Sequence, residues 1–427
     1  MIEAGHRVLV LGLGKMTGSA VADALGAVGA QIRVHESFPS PAREELGDEL
    51  RRRGVEVTFG EPEGAEVDRM LEWADAVVPS PGVPPSNPVL AAALRSGIPV
   101  ISEVELGFGF ARGPVLGVTG TNGKTTTTTL LAEILAEAGM PARAVGNIGV
   151  PFVTAARESV EGSFLVAELS SFQLAFVDRF RPAAAVVLNV ADDHYDWHNG
   201  YAEYLAAKGR ITENQTAEDR LVVRVDDPGC LAIASGSRAE IAGFGLDAPD
   251  EVWARFQLGL GRAPALVAGI AGDAVATFDG VETSIVTNLR DIRLEGFHNL
   301  ENVMAAALAA GKFGVSPEAV ASVVRRFGHL PHRTELVAEK GGVRYIDDSK
   351  ATNPHTTLRA LKGLDRVVLV AGGRAKGLDL SPLAEGAGQV SAVVVMGEAA
   401  LELEQVFAGT PSARAANVEE AVKLAAG

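Results

Sequence analysis

The sequence is short of several things, and each shortage narrows what the chain can be. It has one cysteine, Cys230, in 427 residues, so neither an intrachain disulfide nor a cysteine-based zinc site can form. Aromatic residues make up only 5%, which suits closely packed helices on sheets better than an aromatic-rich all-β protein. There is no Lys/Arg-rich run, and acidic residues outnumber basic ones by 54 to 38, for a formal net charge of −16. Such a chain is a poor candidate for binding nucleic acid or an anionic membrane. No apolar run reaches the roughly 18 residues of a membrane span, and a strand begins at Arg7 without a charged and apolar leader. A soluble cytoplasmic protein is expected. The length is that of about three domains, each able to bury a core.

What is present centres on Pro114-Val-Leu-Gly-Val-Thr-Gly-Thr-Asn-Gly-Lys-Thr-Thr126, an apolar run that breaks into glycines and then a lysine. A strand, tight turn and helix start of this kind grips nucleotide phosphates, because backbone N–H groups and the positive helix end face the anion. Lys124 would reach the terminal phosphates and the Thr125 hydroxyl would ligate Mg²⁺. The strict G-x-x-x-x-G-K-T pattern is not met, since Val118 occupies its first position. The alternative is a glycine turn opening an ordinary helix, whose apolar face would be Leu130, Leu131, Ile134 and Leu135. It does not explain why buried strand, glycine turn and Gly-Lys-Thr-Thr occur together.

Before this loop the chain reads as a first α/β domain, residues 1–102. Strands are expected at Arg7–Gly12, Gln31–His35, Ala74–Pro79 and Ile98–Ser102, with a glycine loop at Gly12–Gly18 and Glu36 where a ribose hydroxyl could be held. The glycine spacing is one residue too long for the dinucleotide fingerprint, so a nucleotide-like ligand fits better than NAD. The second domain, 103–328, alternates strands (Ser163–Ala167, Ala183–Val190) with helices and predicts a mostly parallel sheet. Ligands sit beyond the carboxyl ends of such strands, where Lys124, Glu168 and the turn Asp192-Asp-His194 fall. Residues 220–295 read as a peripheral sheet. A helix follows Gly296, with Asn299 or Asn302 as its N-cap. The third domain, 329–427, has strands at Val343–Asp347, Arg366–Ala371 and Ala392–Met396, again with polar residues after them.

At these motifs the sequence resembles the Mur ligase family, ATP-dependent ligases that build the peptide stem of the bacterial cell-wall precursor. The shared stretches are Gly120–Thr126, Glu168-Leu-Ser-Ser-Phe-Gln-Leu174, Asn189–His194, Ala206-Ala-Lys208, His298–Asn302, Leu330-Pro-His-Arg333 and Asp347-Asp-Ser-Lys-Ala-Thr-Asn353. They cover most of the chain in order, and the last two resemble the member that adds D-glutamate. The implied fold is α/β in three domains: a Rossmann-like N-terminal domain, a central P-loop ATPase-like domain and a Rossmann-like C-terminal domain. The implied reaction joins D-glutamate to UDP-N-acetylmuramoyl-L-alanine through an acyl phosphate. That step serves peptidoglycan synthesis, and so cell shape and division, and the enzyme is expected to be a monomer.

The resemblance also implies site residues. ATP would lie between the second and third domains, on Gly120, Thr121, Asn122, Gly123, Lys124, Thr125 and Thr126, with Asn299 or Asn302 near the adenine and Arg333 and Asp348 at the phosphates. Thr125 and Glu168 would hold one Mg²⁺, and His194 with Lys208 a second, Lys208 as a carbamate. An uncharged lysine amine captures CO₂ and becomes an anion that a metal tolerates. Read without the family, Lys208 is a solvated helix-face lysine, His194 a turn residue, and Asp192, Asp193 and His198 are surface polar groups. Ser80, Gly82, Asn147, Ser170 and Gln173 would line the UDP-muramoyl channel, with Ser37 and Thr17 at the uridine end. Lys350, Thr352 and Lys376 would receive D-glutamate; some relatives carry an acidic residue near Arg374. The family pattern continues past Gly427 into a further strand and loop, so either the sequence is incomplete or the third domain is short of an element at its end. Two rival readings are a sister ligase of other amino-acid specificity and a nucleotide-binding module without ligase activity.

Overall fold

The computed structural model describes residues 2–14, 18–328, 330–362, 364–375 and 378–426. Thr17 and Lys376, both expected at substrate, lie outside the described residues. The chain divides into two compact units, Met1–Val190 with Leu205–Phe327, and Ala191–Tyr204 with Gly328–Gly427.

The first unit holds two sheets. The N-terminal one contains β1 (Arg7–Leu11), β2 (Gln31–Glu36), β3 (Glu56–Phe59) and β4 (Ala76–Pro79), parallel in the order β3-β2-β1-β4. This is a Rossmann-like half. β1 and β4 are short apolar runs buried almost throughout, as strands covered by helices on both faces must be. The sequence reading missed β3, although Val55, Val57 and Phe59 alternate after a glycine. Ile98–Ser102 is not a strand. It makes a single bridge, Val77 to Val100, because Pro99 has no N–H to continue a ladder.

The central sheet has nine strands. They are β5 (Val115–Thr119), β6 (Ala142–Gly146), β7 (Phe164–Glu168), β8 (Ala184–Val187), β9 (Arg220–Arg224), β10 (Glu240–Phe244), β11 (Leu266–Ala271), β12 (Ala274–Phe278) and β13 (Thr283–Asn288). Their order is β13-β12-β11-β10-β9-β8-β5-β7-β6. Residues 220–295 therefore do not form a separate peripheral sheet. β9 pairs with β8 in parallel, Ala184 opposite Arg220, so the hydrogen-bonded ladder continues outward, and only β12 runs against the other strands, antiparallel to both β11 and β13. β5 sits between β7 and β8 with all five residues buried. The helix Lys124–Glu137 follows β5 and packs on the helix Phe297–Gly311, whose residues Val303–Ala310 are all buried. Gly296, not an asparagine, is the N-cap of the latter helix. Asn299 is three residues inside it, donating to the Glu295 carbonyl at 2.7 Å.

The second unit contains an antiparallel pair, β14 (Glu335–Lys340) and β15 (Val343–Asp347), and a parallel sheet of β16 (Val367–Gly372), β17 (Val390–Met396) and β18 (Ser412–Arg414). Its core includes Leu361, Leu383, Val393, Val395 and Phe407. The segment Ala191–Tyr204 belongs here structurally: Tyr195 packs against that core, and the Asn353 amide donates to Asp193 Oδ2 at 3.1 Å.

Candidate active site

The phosphate loop is built by one strand end and its two neighbours. Gly120 and Gly123 have φ of +142° and +86°, so the chain turns sharply out of β5 where a side chain would be strained. A Cβ on Gly123 would also lie 2.5 Å from Asn302 Oδ1, which places Asn302 against the loop itself. At the end of β8, Asn189 clamps the loop from below. Its carbonyl accepts the Thr121 N–H at 2.9 Å, its Oδ1 accepts the Asn122 N–H at 2.9 Å, and its Nδ2 donates to the Asn122 carbonyl at 3.1 Å. Lys124 Nζ donates to the carbonyls of Gly120 and Thr121 at 2.8 and 2.9 Å. Thr125 opens the helix beside Lys124, and Thr126 is buried behind it.

Lys208 is not a solvated helix-face lysine. It is 1% exposed, and its Nζ donates at 2.8 Å to the same Gly120 carbonyl that Lys124 uses. Two ammonium groups thus converge on one oxygen beneath the loop. One strand over, Glu168 ends β7 opposite Val118 and is 3% exposed. Its Oε1 accepts from Asn147 Nδ2 at 2.8 Å, whereas Oε2 is buried with no hydrogen-bond partner.

A cavity of about 280 Å³ opens where the two sheets of the first unit meet. Ser37, Ser80, Gly82, Asn147 and Gln173, from five separate sequence positions, all line it. Ser80 Oγ donates to the Gly12 carbonyl at 2.8 Å and Ser37 Oγ accepts from Asn87 at 3.2 Å. Ser170 caps the short helix Ser171–Leu174 through Gln173. Glu36, where a ribose hydroxyl could be held, lines the same cavity; its carboxylate is buried and accepts from Leu13 N–H, Phe38 N–H and Arg43. It ties the glycine loop to the loop after β2.

In the second unit, His194 sits at φ +56°, its N–H on Asp193 Oδ1, with Asp193 and Asp196 carboxylates 3.8 and 3.9 Å from its ring nitrogens. Asp193 and His198 are not surface groups. Asp193 is 4% exposed, bridging His194 and Asn353, and His198 is buried between the rings of Trp197 and Tyr204. Arg333 is half-buried after His332, while Lys350 and Thr352 are exposed. Asp348 accepts the Thr334 N–H at 2.9 Å, and burial raises its carboxyl above the usual carboxylate range. Arg374 pairs with Glu398 at the surface.

Three family models match in order: the Mur ligase MurD-like N-terminal domain over residues 6–102, the Mur ligase middle domain over 118–310, and the Mur ligase glutamate ligase domain over 332–427. A UDP-N-acetylmuramoylalanine–D-glutamate ligase of Geobacillus kaustophilus is 40% identical over 98% of this chain and 89% of its own. The chain belongs to the Mur ligase family. The fold agrees with that of distant Mur ligases. A pseudomurein peptide ligase type C from Methanothermus fervidus superposes at a TM-score of 0.58 with 18% identity, covering 99% of this chain and 94% of that one. The MurF ligase of Thermotoga maritima, solved with ADP, gives 0.53 at 17% identity, over 97% and 86%.

For a Mur ligase, the notable residues that the sequence reading passed over are Asn189, quoted within a shared stretch without a role, and Glu103. Glu103 is 1% exposed and lines the cavity, and burial pushes its carboxyl up to about 7 against the pull of the Val153 amide and Gln173 side chain. Only its place at the first turn of a helix after Ser102 marked it in sequence. The residues present fit a hard cation. A buried carboxylate oxygen without a hydrogen-bond partner is costly unless something else satisfies it, and Glu168 Oε2 is an oxygen donor of the kind magnesium takes. Among the described residues, no helix is long and apolar enough to cross a membrane.

Proposed function

We propose that this chain joins the amine of D-glutamate to the carboxylate of UDP-N-acetylmuramoyl-L-alanine, with ATP cleaved to ADP and phosphate. The observation that carries this reading is the enclosed loop, with Lys124 and Lys208 on one carbonyl and the open Glu168 oxygen one strand away. A carboxylate oxygen of the substrate attacks the γ-phosphorus, forming an acyl phosphate as ADP leaves. The D-glutamate amine then attacks the acyl carbon, loses a proton and expels phosphate. Both steps gather negative charge on oxygen, which Lys124, turning from the Gly120 and Thr121 carbonyls, and the N–H groups at the start of the following helix would neutralise. Asn189 holds the shape of the loop by engaging Thr121 and Asn122.

Thr125 and Glu168 would hold magnesium, which when bound supplies further positive charge to the phosphate oxygens. Lys208 would serve a second ion as its carbamate. Ser37, Ser80, Gly82, Asn147, Ser170 and Gln173 would bind the UDP-muramoyl substrate, with Thr17 at its uridine end. Lys350, Thr352 and Lys376 would receive D-glutamate. The enzyme acts as a cytoplasmic monomer in peptidoglycan precursor synthesis.

The test is ADP release by the purified chain. It should require UDP-N-acetylmuramoyl-L-alanine and D-glutamate together, with the amide product identified by mass. Turnover with another amino acid but not D-glutamate would mark a sister ligase. Nucleotide binding without any turnover would refute the ligase reading. Carbamylation is checked separately by carbon-13 NMR in labelled bicarbonate, where a carbamate signal should vanish in Lys208→Met.

A further inference from the structure

One buried carboxyl belongs to neither the phosphate loop nor the residues assigned to substrate. Glu103 opens the helix Glu103–Phe108 and faces the cavity wall. Its Oε1 accepts the Val153 N–H at 2.6 Å, and its Oε2 accepts from Nε2 of Gln173 at 3.4 Å. Gln173 is held from the other side as well. Its Oε1 accepts both the backbone N–H and the hydroxyl of Ser170, at 3.0 and 3.1 Å, while Ser170 Oγ accepts the Gln173 N–H at 3.2 Å.

We infer that Glu103, as a carboxylate, is a positioning residue for substrate binding that fixes the Gln173 carboxamide with its N–H₂ group toward the cavity. The inference rests on the ligase reading above. A carboxylate only accepts hydrogen bonds, and the two Ser170 groups both donate, so the amide has one orientation that satisfies all three contacts. In that orientation one Nε2–H goes to Glu103 and no described residue accepts the second. That N–H is offered to an acceptor oxygen, a phosphate or carbonyl of the UDP-linked substrate. A neutral group in place of the carboxylate would remove the bias and let the amide turn its oxygen to the cavity, where it would repel the same ligand atom.

The experiment is a double-mutant cycle on the complete chain with Glu103→Gln, Gln173→Leu and both together. Glu103→Gln is isosteric and uncharged. For this variant KM for UDP-N-acetylmuramoyl-L-alanine should rise about tenfold, the worth of one hydrogen bond to a charged acceptor. Its kcat and its KM for ATP should stay within twofold. Gln173→Leu should raise the same KM by as much or more, and adding Glu103→Gln to it should change nothing further, because the effect runs through Gln173. An unchanged KM in Glu103→Gln overturns the inference, as does a double variant in which the two effects multiply, or an equal loss in kcat and in KM for ATP. Should the wild-type chain bind ATP but not the UDP-linked substrate by calorimetry, both this inference and the ligase reading fail. A wild-type ligase indifferent to Glu103 sinks the inference alone.

Discussion

Replacing Glu103 by glutamine should change how the stability of the first unit depends on pH. In the folded chain burial holds this carboxyl near 7, against 4.5 for an ordinary glutamate. A carboxyl raised in this way binds its proton more tightly folded than unfolded. Its contribution is complete below about pH 4.5 and is lost as pH climbs through 7, because the unfolded chain ionises first. The gap corresponds to about 3 kcal/mol at 1.36 kcal/mol for each pH step. Glutamine stands in for the protonated acid at every pH, so that loss disappears. Urea unfolding of both proteins from pH 4.5 to 8, taken as the difference between them, cancels the other titrating groups. The difference should start near zero and grow to about 3 kcal/mol in favour of the variant by pH 8. Parallel curves would refute the reasoning, since they would mean that Glu103 titrates alike in both states. The same substitution is expected to weaken substrate binding, so the carboxylate is retained at a cost in stability.

Three further outcomes follow from the loop. Gly123→Ala places a Cβ 2.5 Å from Asn302 Oδ1 at a φ of +86°, and at about 1–2 kcal/mol of backbone strain alone it should weaken ATP at least tenfold in a fluorescent-nucleotide titration. Asn189→Ala removes both side-chain bonds to Asn122; the Asn122 amide should exchange with deuterium faster and ATP affinity should fall by about 1–3 kcal/mol. Glu168→Gln should abolish the rise in melting temperature that magnesium and ATP together produce, while ATP alone still binds. A variant that keeps that rise would separate Glu168 from the metal.

The parts of this molecule most legible in sequence were those where backbone chemistry leaves a local mark. Gly120 and Gly123 announce the turn out of β5 because the loop requires positive φ there. The apolar runs of β5 and β8 announce a sheet covered on both faces. What was hidden depends on contacts between distant residues. Lys208 looks like any helix lysine until the fold seats it 88 positions away on the Gly120 carbonyl. Asp193 and His198 are polar residues in an Asp/His-rich turn, and nothing local shows that Asn353 and Tyr204 enclose them. The strands after residue 220 carry the right alternation, but only pairing across β8 and β9 makes them part of the central sheet.

The C-terminal unit is stitched from two stretches of chain that lie far apart in sequence. During synthesis Tyr195 and Asp193 leave the ribosome well before the core around Leu361 and Val393, and before Asn353, which they meet in the finished protein. A recombinant fragment starting at Gly328 would therefore lack an aromatic ring from its interior and leave the Asn353 amide without its carboxylate. Supplying Ala191–Tyr204 as a separate peptide is the natural way to make such a fragment whole.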